Sequence, residues 1–139
     1  MRISFKEVQE TLNNVLLKHG FSWEKAGLLS EVFTESSLDG VYSHGLNRFP
    51  RFIKNVKEGI VKITAEPDKI NTYGNIEQWN GNLGPGILNA LSCMSTAIKI
   101  AGSAGIGCVA LSNTNHWMRG GTYGWQAANN GYIGICWTN

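Results

Sequence analysis

Charge is what this sequence has least of. Charged residues make up 16% of its 139 positions, where about a quarter is usual for a soluble domain. So thin a charged coat predicts that much of the surface is covered by other polypeptide. The formal net charge is only +2, which excludes the broad basic field that nucleic-acid binding needs. Cysteine is scarce as well. Cys93, Cys108 and Cys136 are odd in number and sit in apolar runs, the pattern of reduced, buried thiols in a cytoplasmic protein rather than of a disulfide framework. None belongs to a Cys-x-x-Cys pair and no histidine stands at ligand spacing, so no metal site is expected. No apolar run approaches the ~20 residues of a membrane span. The start, Met1-Arg2-Ile3-Ser4-Phe5-Lys6-Glu7, puts charges where a signal peptide would have its apolar core. The expectation is a cytoplasmic chain with neither nucleic-acid nor membrane partners.

What is present begins with helical periodicity. Ser4-Phe5-Lys6-Glu7 matches a capping box. Phe5, Val8, Leu12, Val15 and Leu16 then form an amphipathic stripe that stops at His19-Gly20, where His19 suits the negative end of a helix. Ser22 opens a second helix, buried through Ala26, Leu29, Val32 and Phe33 and ending at Asp39-Gly40. A third is predicted from near His44 to Gly59; Pro50 moves its true start to about Phe49 or demands a kink. Arg48, Arg51, Lys54 and Lys57 form a basic stripe along it, most simply a solvated face.

After Pro67 the character changes to glycine-rich alternation. Residues 69–73 and 76–80 read as two strands around Gly74-Asn75. Residues 87–101 read as a long helix, and Ile106 to Leu111 as an apolar strand buried on both faces. A further helix starts at Gly121 or Thr122, and Tyr132 to Trp137 reads as a second apolar strand. The predicted class is α/β, of the α+β kind: a helical segment over residues 1–66 and an incomplete mixed α/β domain over 67–139. A buried strand so near the end of the sequence lacks neighbours, so the chain is expected to be a fragment or to depend on another polypeptide.

Two stretches carry chemistry. In Ser43-His44-Gly45-Leu46-Asn47-Arg48 an imidazole precedes a guanidinium by four residues, a spacing that lets both project from one helical face. The first can move a proton near neutral pH; the second grips a carboxylate in two parallel hydrogen bonds. The plainer alternative is a helix cap beside a surface charge. In Asn113-Thr114-Asn115-His116-Trp117-Met118-Arg119-Gly120-Gly121 a polar loop follows an apolar strand and precedes a helix. Open α/β sheets place ligands there, and the amides of Gly121 and Thr122 are expected to be unpaired donors at a helix start. The alternative is a structural loop that satisfies His116 internally. Gly102-Ser103-Ala104-Gly105-Ile106-Gly107 is glycine-rich but joins helix to strand, the reverse of a dinucleotide fingerprint.

Gly40-Val41-Tyr42-Ser43-His44-Gly45 with Asn47-Arg48-Phe49-Pro50-Arg51-Phe52, then Asn115-His116-Trp117-Met118-Arg119-Gly120-Gly121, Gly124-Trp125-Gln126-Ala127-Ala128 and Gly131-Tyr132-Ile133-Gly134-Ile135-Cys136-Trp137-Thr138-Asn139, closely resemble the amino-terminal part of the malate/L-lactate dehydrogenase family of NAD(P)-dependent oxidoreductases. The resemblance implies a non-Rossmann fold, in which a helical domain accompanies a mixed α/β domain that holds the nicotinamide. It implies a homodimer with its site between domains. His44 matches the family's proton donor, Arg48 and His116 match substrate-pocket positions, and Thr138 and Asn139 are carried over as cofactor contacts. The activity implied is reduction of a 2-keto (2,3-diketo) sugar acid with NAD or NADP as cofactor, NADH favoured. The alternative from another class is an inactive truncated remnant that only dimerises or binds.

Overall fold

The computed structural model describes residues 2–138. The chain folds as two compact units, Met1–Thr64 and Ala65–Asn139.

The first unit is helical. Helix α1, Phe5–Lys18, is capped by the Ser4 hydroxyl, which accepts from the Glu7 amide at 3.2 Å. It closes on His19, whose ring Nδ1 donates to the Val15 carbonyl at 2.8 Å, so this imidazole finishes a helix. Helix α2, Trp23–Leu38, starts at the matching cap of Ser22 on the Lys25 amide. It buries Ala26, Leu29, Val32 and Phe33, as its periodicity predicts. After a single 3-10 turn at Tyr42–His44, helix α3 runs over Phe49–Lys57 with Pro50 in its first turn, where a missing amide proton costs nothing. Phe33 is the hub. Its ring meets Phe49 edge-on, with centroids 5.1 Å apart, and Phe52 at 5.4 Å. Edge-on pairing sets the positive rim of one ring against the negative face of the other. Arg51, Lys54 and Lys57 are exposed, and Lys54 pairs with Glu58 one turn on; these three form a solvated face.

The second unit is a small mixed sheet with helices. Strands β1, Asp68–Tyr73, and β2, Ile76–Asn80, form an antiparallel hairpin whose turn places Gly74 at φ 56°, a conformation open to a residue without Cβ. Helix α4, Gly86–Ala104, then carries the chain across to β3, Cys108–Ser112, parallel to β2. The order is β1-β2-β3. Helix α5, Gly120–Asn129, packs on α4, and its Gln126 Nε2 donates to the Leu91 carbonyl and to Ser95 Oγ. By length and composition alone α4 could cross a membrane. Here it packs on β3 and α5, and Asn89, Ser92, Ser95, Thr96 and Lys99 interrupt its apolar character.

The α+β class and mixed sheet are as predicted; two strand expectations are not. β3 is an edge strand paired only with β2, and Ala110 and Ser112 are exposed, so it is not buried on both faces. Residues 132–138 form no strand. Their burial still alternates: Tyr132, Gly134 and Cys136 turn inward, while Ile133, Ile135 and Trp137 lie exposed. The inward side runs along helices. A Cβ on Gly134 would meet Ala127 and Gly124 of α5. A helix flank offers no free backbone donors or acceptors to complete a ladder, so the strand pattern is present without the strand.

Candidate functional site

In the first unit, His44 closes the 3-10 turn and Arg48 is the residue from which α3 begins. Their four-residue spacing therefore runs through consecutive turns, not one helix. Backbone bonds bind the turns together: Arg48 N–H to the Gly45 carbonyl at 2.9 Å, and Asn47 N–H to the Tyr42 carbonyl at 3.3 Å. Helix α2 seats them. Ser37 Oγ accepts from the Leu46 amide at 2.8 Å, and a methyl on Gly45 would collide with that same hydroxyl and lie 2.8 Å from the Ser37 nitrogen. Only glycine brings the chain this close to α2. His44 is half-buried, and Ser43 Oγ lies 3.0 Å from its Nδ1. That contact holds the ring at Nδ1.

In the second unit, the loop after β3 holds His116, whose Nδ1 accepts from the Met118 amide at 2.9 Å. Nδ1 is therefore the unprotonated nitrogen of the neutral ring, and Nε2 carries the hydrogen. The residue is exposed. Met118 supplies its amide from φ 65°, a left-handed conformation unusual for a residue with Cβ and found at sites that neighbouring contacts enforce. Below it, the Trp117 and Tyr123 rings stack with centroids 5.1 Å apart, and the Tyr123 hydroxyl donates to the Trp117 carbonyl. Burial pushes the Tyr123 phenol far above its ordinary pKa, so it stays a donor.

One expectation for this loop fails. The Thr122 amide is not an unpaired donor: it bonds the Arg119 carbonyl at 3.2 Å. The Arg119 guanidinium also folds over the start of α5, with Nε 2.8 Å from where a Cβ on Gly121 would stand.

His44 and Arg48 thus share the first unit, and His116 and Thr138 belong to the second. Thr138 is exposed. Asn139 lies outside the described residues. Gly102 to Gly107 closes α4 and enters β3, so it forms no strand-to-helix phosphate cradle. Among the described residues no group of three histidines, cysteines or carboxylates could hold a metal ion. Sequence reasoning gave no role to Ser37, Ser43 or Asn89. The signal for Asn89 is a polar residue inside the apolar run of α4, between Ile87 and Leu91.

Comparison with known proteins gives the family. The sequence pattern of the family described as Malate/L-lactate dehydrogenase matches residues 3–139. Over all 139 residues the chain is 50% identical to the 2,3-diketo-L-gulonate reductase of Citrobacter koseri, and 51% identical to that of Escherichia fergusonii. It spans 42% of the length of these curated relatives. Among solved structures, malate dehydrogenase from Pyrococcus horikoshii superposes with a TM-score of 0.91 at 29% identity, over 94% of this chain and 38% of that one. Malate dehydrogenase from Entamoeba histolytica gives 0.89 at 31% identity, over 94% and 37%.

Proposed function

The chain belongs to the malate/L-lactate dehydrogenase family, and from that premise we propose that it contributes the proton donor and substrate contacts of a reductase for a 2-keto sugar acid such as 2,3-diketo-L-gulonate. The observation that carries the reading is the seating of His44: a half-buried imidazole at the end of a tight turn, held at Nδ1 by Ser43, four residues before an arginine. Identity of about 50% to reductases of that name supports the substrate class.

The bound nicotinamide, NADH by preference or NADPH, supplies a hydride to the ketone carbon. This chain's residues do the rest. Charge builds on the ketone oxygen, and protonated His44 delivers its Nε2 proton there, help worth roughly a hundred- to ten-thousand-fold. Arg48 grips the substrate carboxylate in a bidentate pair. The Nε2–H of His116 donates to a keto or hydroxyl oxygen, and Thr138, with Asn139, contacts the cofactor. The working protein is a cytoplasmic homodimer, to which its free cysteines and the exposed Ile133, Ile135 and Trp137 are suited.

The test is NADH oxidation by the native protein with 2,3-diketo-L-gulonate, read beside NADH binding. His44→Ala should lower turnover by a hundredfold or more while NADH still binds. Normal turnover in that variant refutes the assignment of His44. Failure of the unaltered protein to oxidise NADH with any keto sugar acid leaves the non-catalytic assembly module as the reading.

A further inference from the structure

We propose that Asn89 is a positioning residue: from the buried first turn of α4 it bridges the Gly81 carbonyl and the Thr114 hydroxyl, and so holds the loop that presents His116. Its side chain is wholly buried, and Nδ2 donates to Gly81 O and to Thr114 Oγ1, each at 2.9 Å. Its Oδ1 is buried without a hydrogen-bond partner. Such an orphaned acceptor costs about 1–3 kcal/mol, and asparagine is a weak helix former. Leucine would fill the position without either penalty, so what the asparagine contributes is its two donated bonds. They join the loop before α4 to the loop after β3, which meet at further points. Asn115 Nδ2 donates to the Leu83 carbonyl at 2.6 Å, the Leu83 amide donates to the Asn113 carbonyl at 2.7 Å, and a methyl on Gly86 would strike the Asn115 carbonyl. Thr114 stands two residues before His116. Fixing it fixes the path along which the Met118 amide reaches His116 Nδ1, and hence which ring nitrogen carries the hydrogen.

The consequence for turnover rests on the reading of His116 as a substrate contact; the consequence for the ring does not. The first measurement is the imidazole nitrogen spectrum of this chain at a pH where the ring is neutral. The unaltered protein should show His116 as one tautomer, hydrogen on Nε2. Asn89→Leu and Thr114→Val should average the two nitrogens, and Thr114→Ser, which keeps the hydroxyl, should restore the single form. If Asn89→Leu does not fold, the Thr114 pair decides. A single Nε2–H tautomer in every folded variant overturns the proposal. The second measurement is steady-state kinetics of the native protein. Asn89→Leu and Thr114→Val should each raise KM for the keto acid three- to tenfold and leave the pH profile of kcat in place. The double variant should do no more than either alone, since both cut one link. Additive effects, or a shifted kcat profile with KM constant, contradict it. A protein with no reductase activity would sink the functional reading and leave the ring spectrum to decide the role of Asn89.

Discussion

A histidine's use is set by what its other nitrogen touches. Among the three imidazoles, His19 donates from Nδ1 into the last turn of α1, His44 meets a hydroxyl at Nδ1, and His116 accepts a backbone proton there. The first is spent on structure; the other two have their rings held at Nδ1, and the proposed function assigns the chemistry to Nε2. Arg48 extends the argument to charge. A lysine in its place keeps the positive charge but loses the planar fork that matches a carboxylate. Arg48→Lys should therefore raise KM for a keto acid about tenfold with kcat nearly constant in steady-state assays, and an unchanged KM would mean that the carboxylate is held elsewhere. Gly45 is the backbone counterpart. Its missing Cβ lets the His44 turn press on Ser37, and two of the neighbours a methyl would meet, the Ser37 nitrogen and the Phe33 carbonyl, are backbone atoms of a helix that cannot rotate away. Gly45→Ala should cost about 1–3 kcal/mol by overpacking, read as a lowered thermal midpoint, with the loss concentrated around residues 41–49 in hydrogen exchange.

At the scale of elements, what could be read from the sequence was what is encoded locally. The caps at Ser4 and Ser22 lie three residues before the amides they accept, so a short window contains the whole interaction. The start of α3 at Phe49 follows from the ring of Pro50 alone. What could not be read depends on distant chain. Residues 132–137 have the composition and alternation of a strand, yet pairing needs a second backbone, and composition does not say whether one is there. β3 reads as central for the same reason and lies at an edge. The site divides along the same line. His44, Arg48 and His116 sit in dense polar motifs visible in sequence, whereas Asn89 bonds Thr114 across 25 positions, and its polar place in an apolar run does not name that partner. Phe33 tests the element scale. Two aromatic rings of α3, Phe49 and Phe52, converge on it, so Phe33→Ala should destabilise the first unit by about 3–5 kcal/mol. Calorimetry would show this as loss of the transition belonging to residues 5–57; a loss under 1 kcal/mol would mean that the cluster is not the unit's core.

Over the whole molecule, the buried acids are concentrated after residue 65. Burial pushes the Cys93 thiol up to about 11, with the Glu77 carboxylate adding to it, and burial raises Cys136 and Tyr123 as well. Each cause disfavours the charged form of the group. For Cys93 the folded pKa therefore lies above the ordinary thiol value of roughly 8.5, and the sign of the linkage follows. Below that ordinary value the thiol is protonated whether the chain is folded or not, and its contribution to stability is complete. As pH rises the unfolded chain releases its proton first, so stability drains away until the folded thiol ionises near 11. Denaturant midpoints measured between pH 8 and 11 should fall steadily for the unaltered chain. Cys93→Ala removes one of the titrating groups and leaves a small cavity, so its midpoint should start lower and decline less steeply. The difference between the two curves isolates the thiol, because every other titrating group is common to both. Parallel curves would mean that Cys93 reaches solvent before the chain unfolds, and that the packing of α4 against the sheet is looser than its buried face implies.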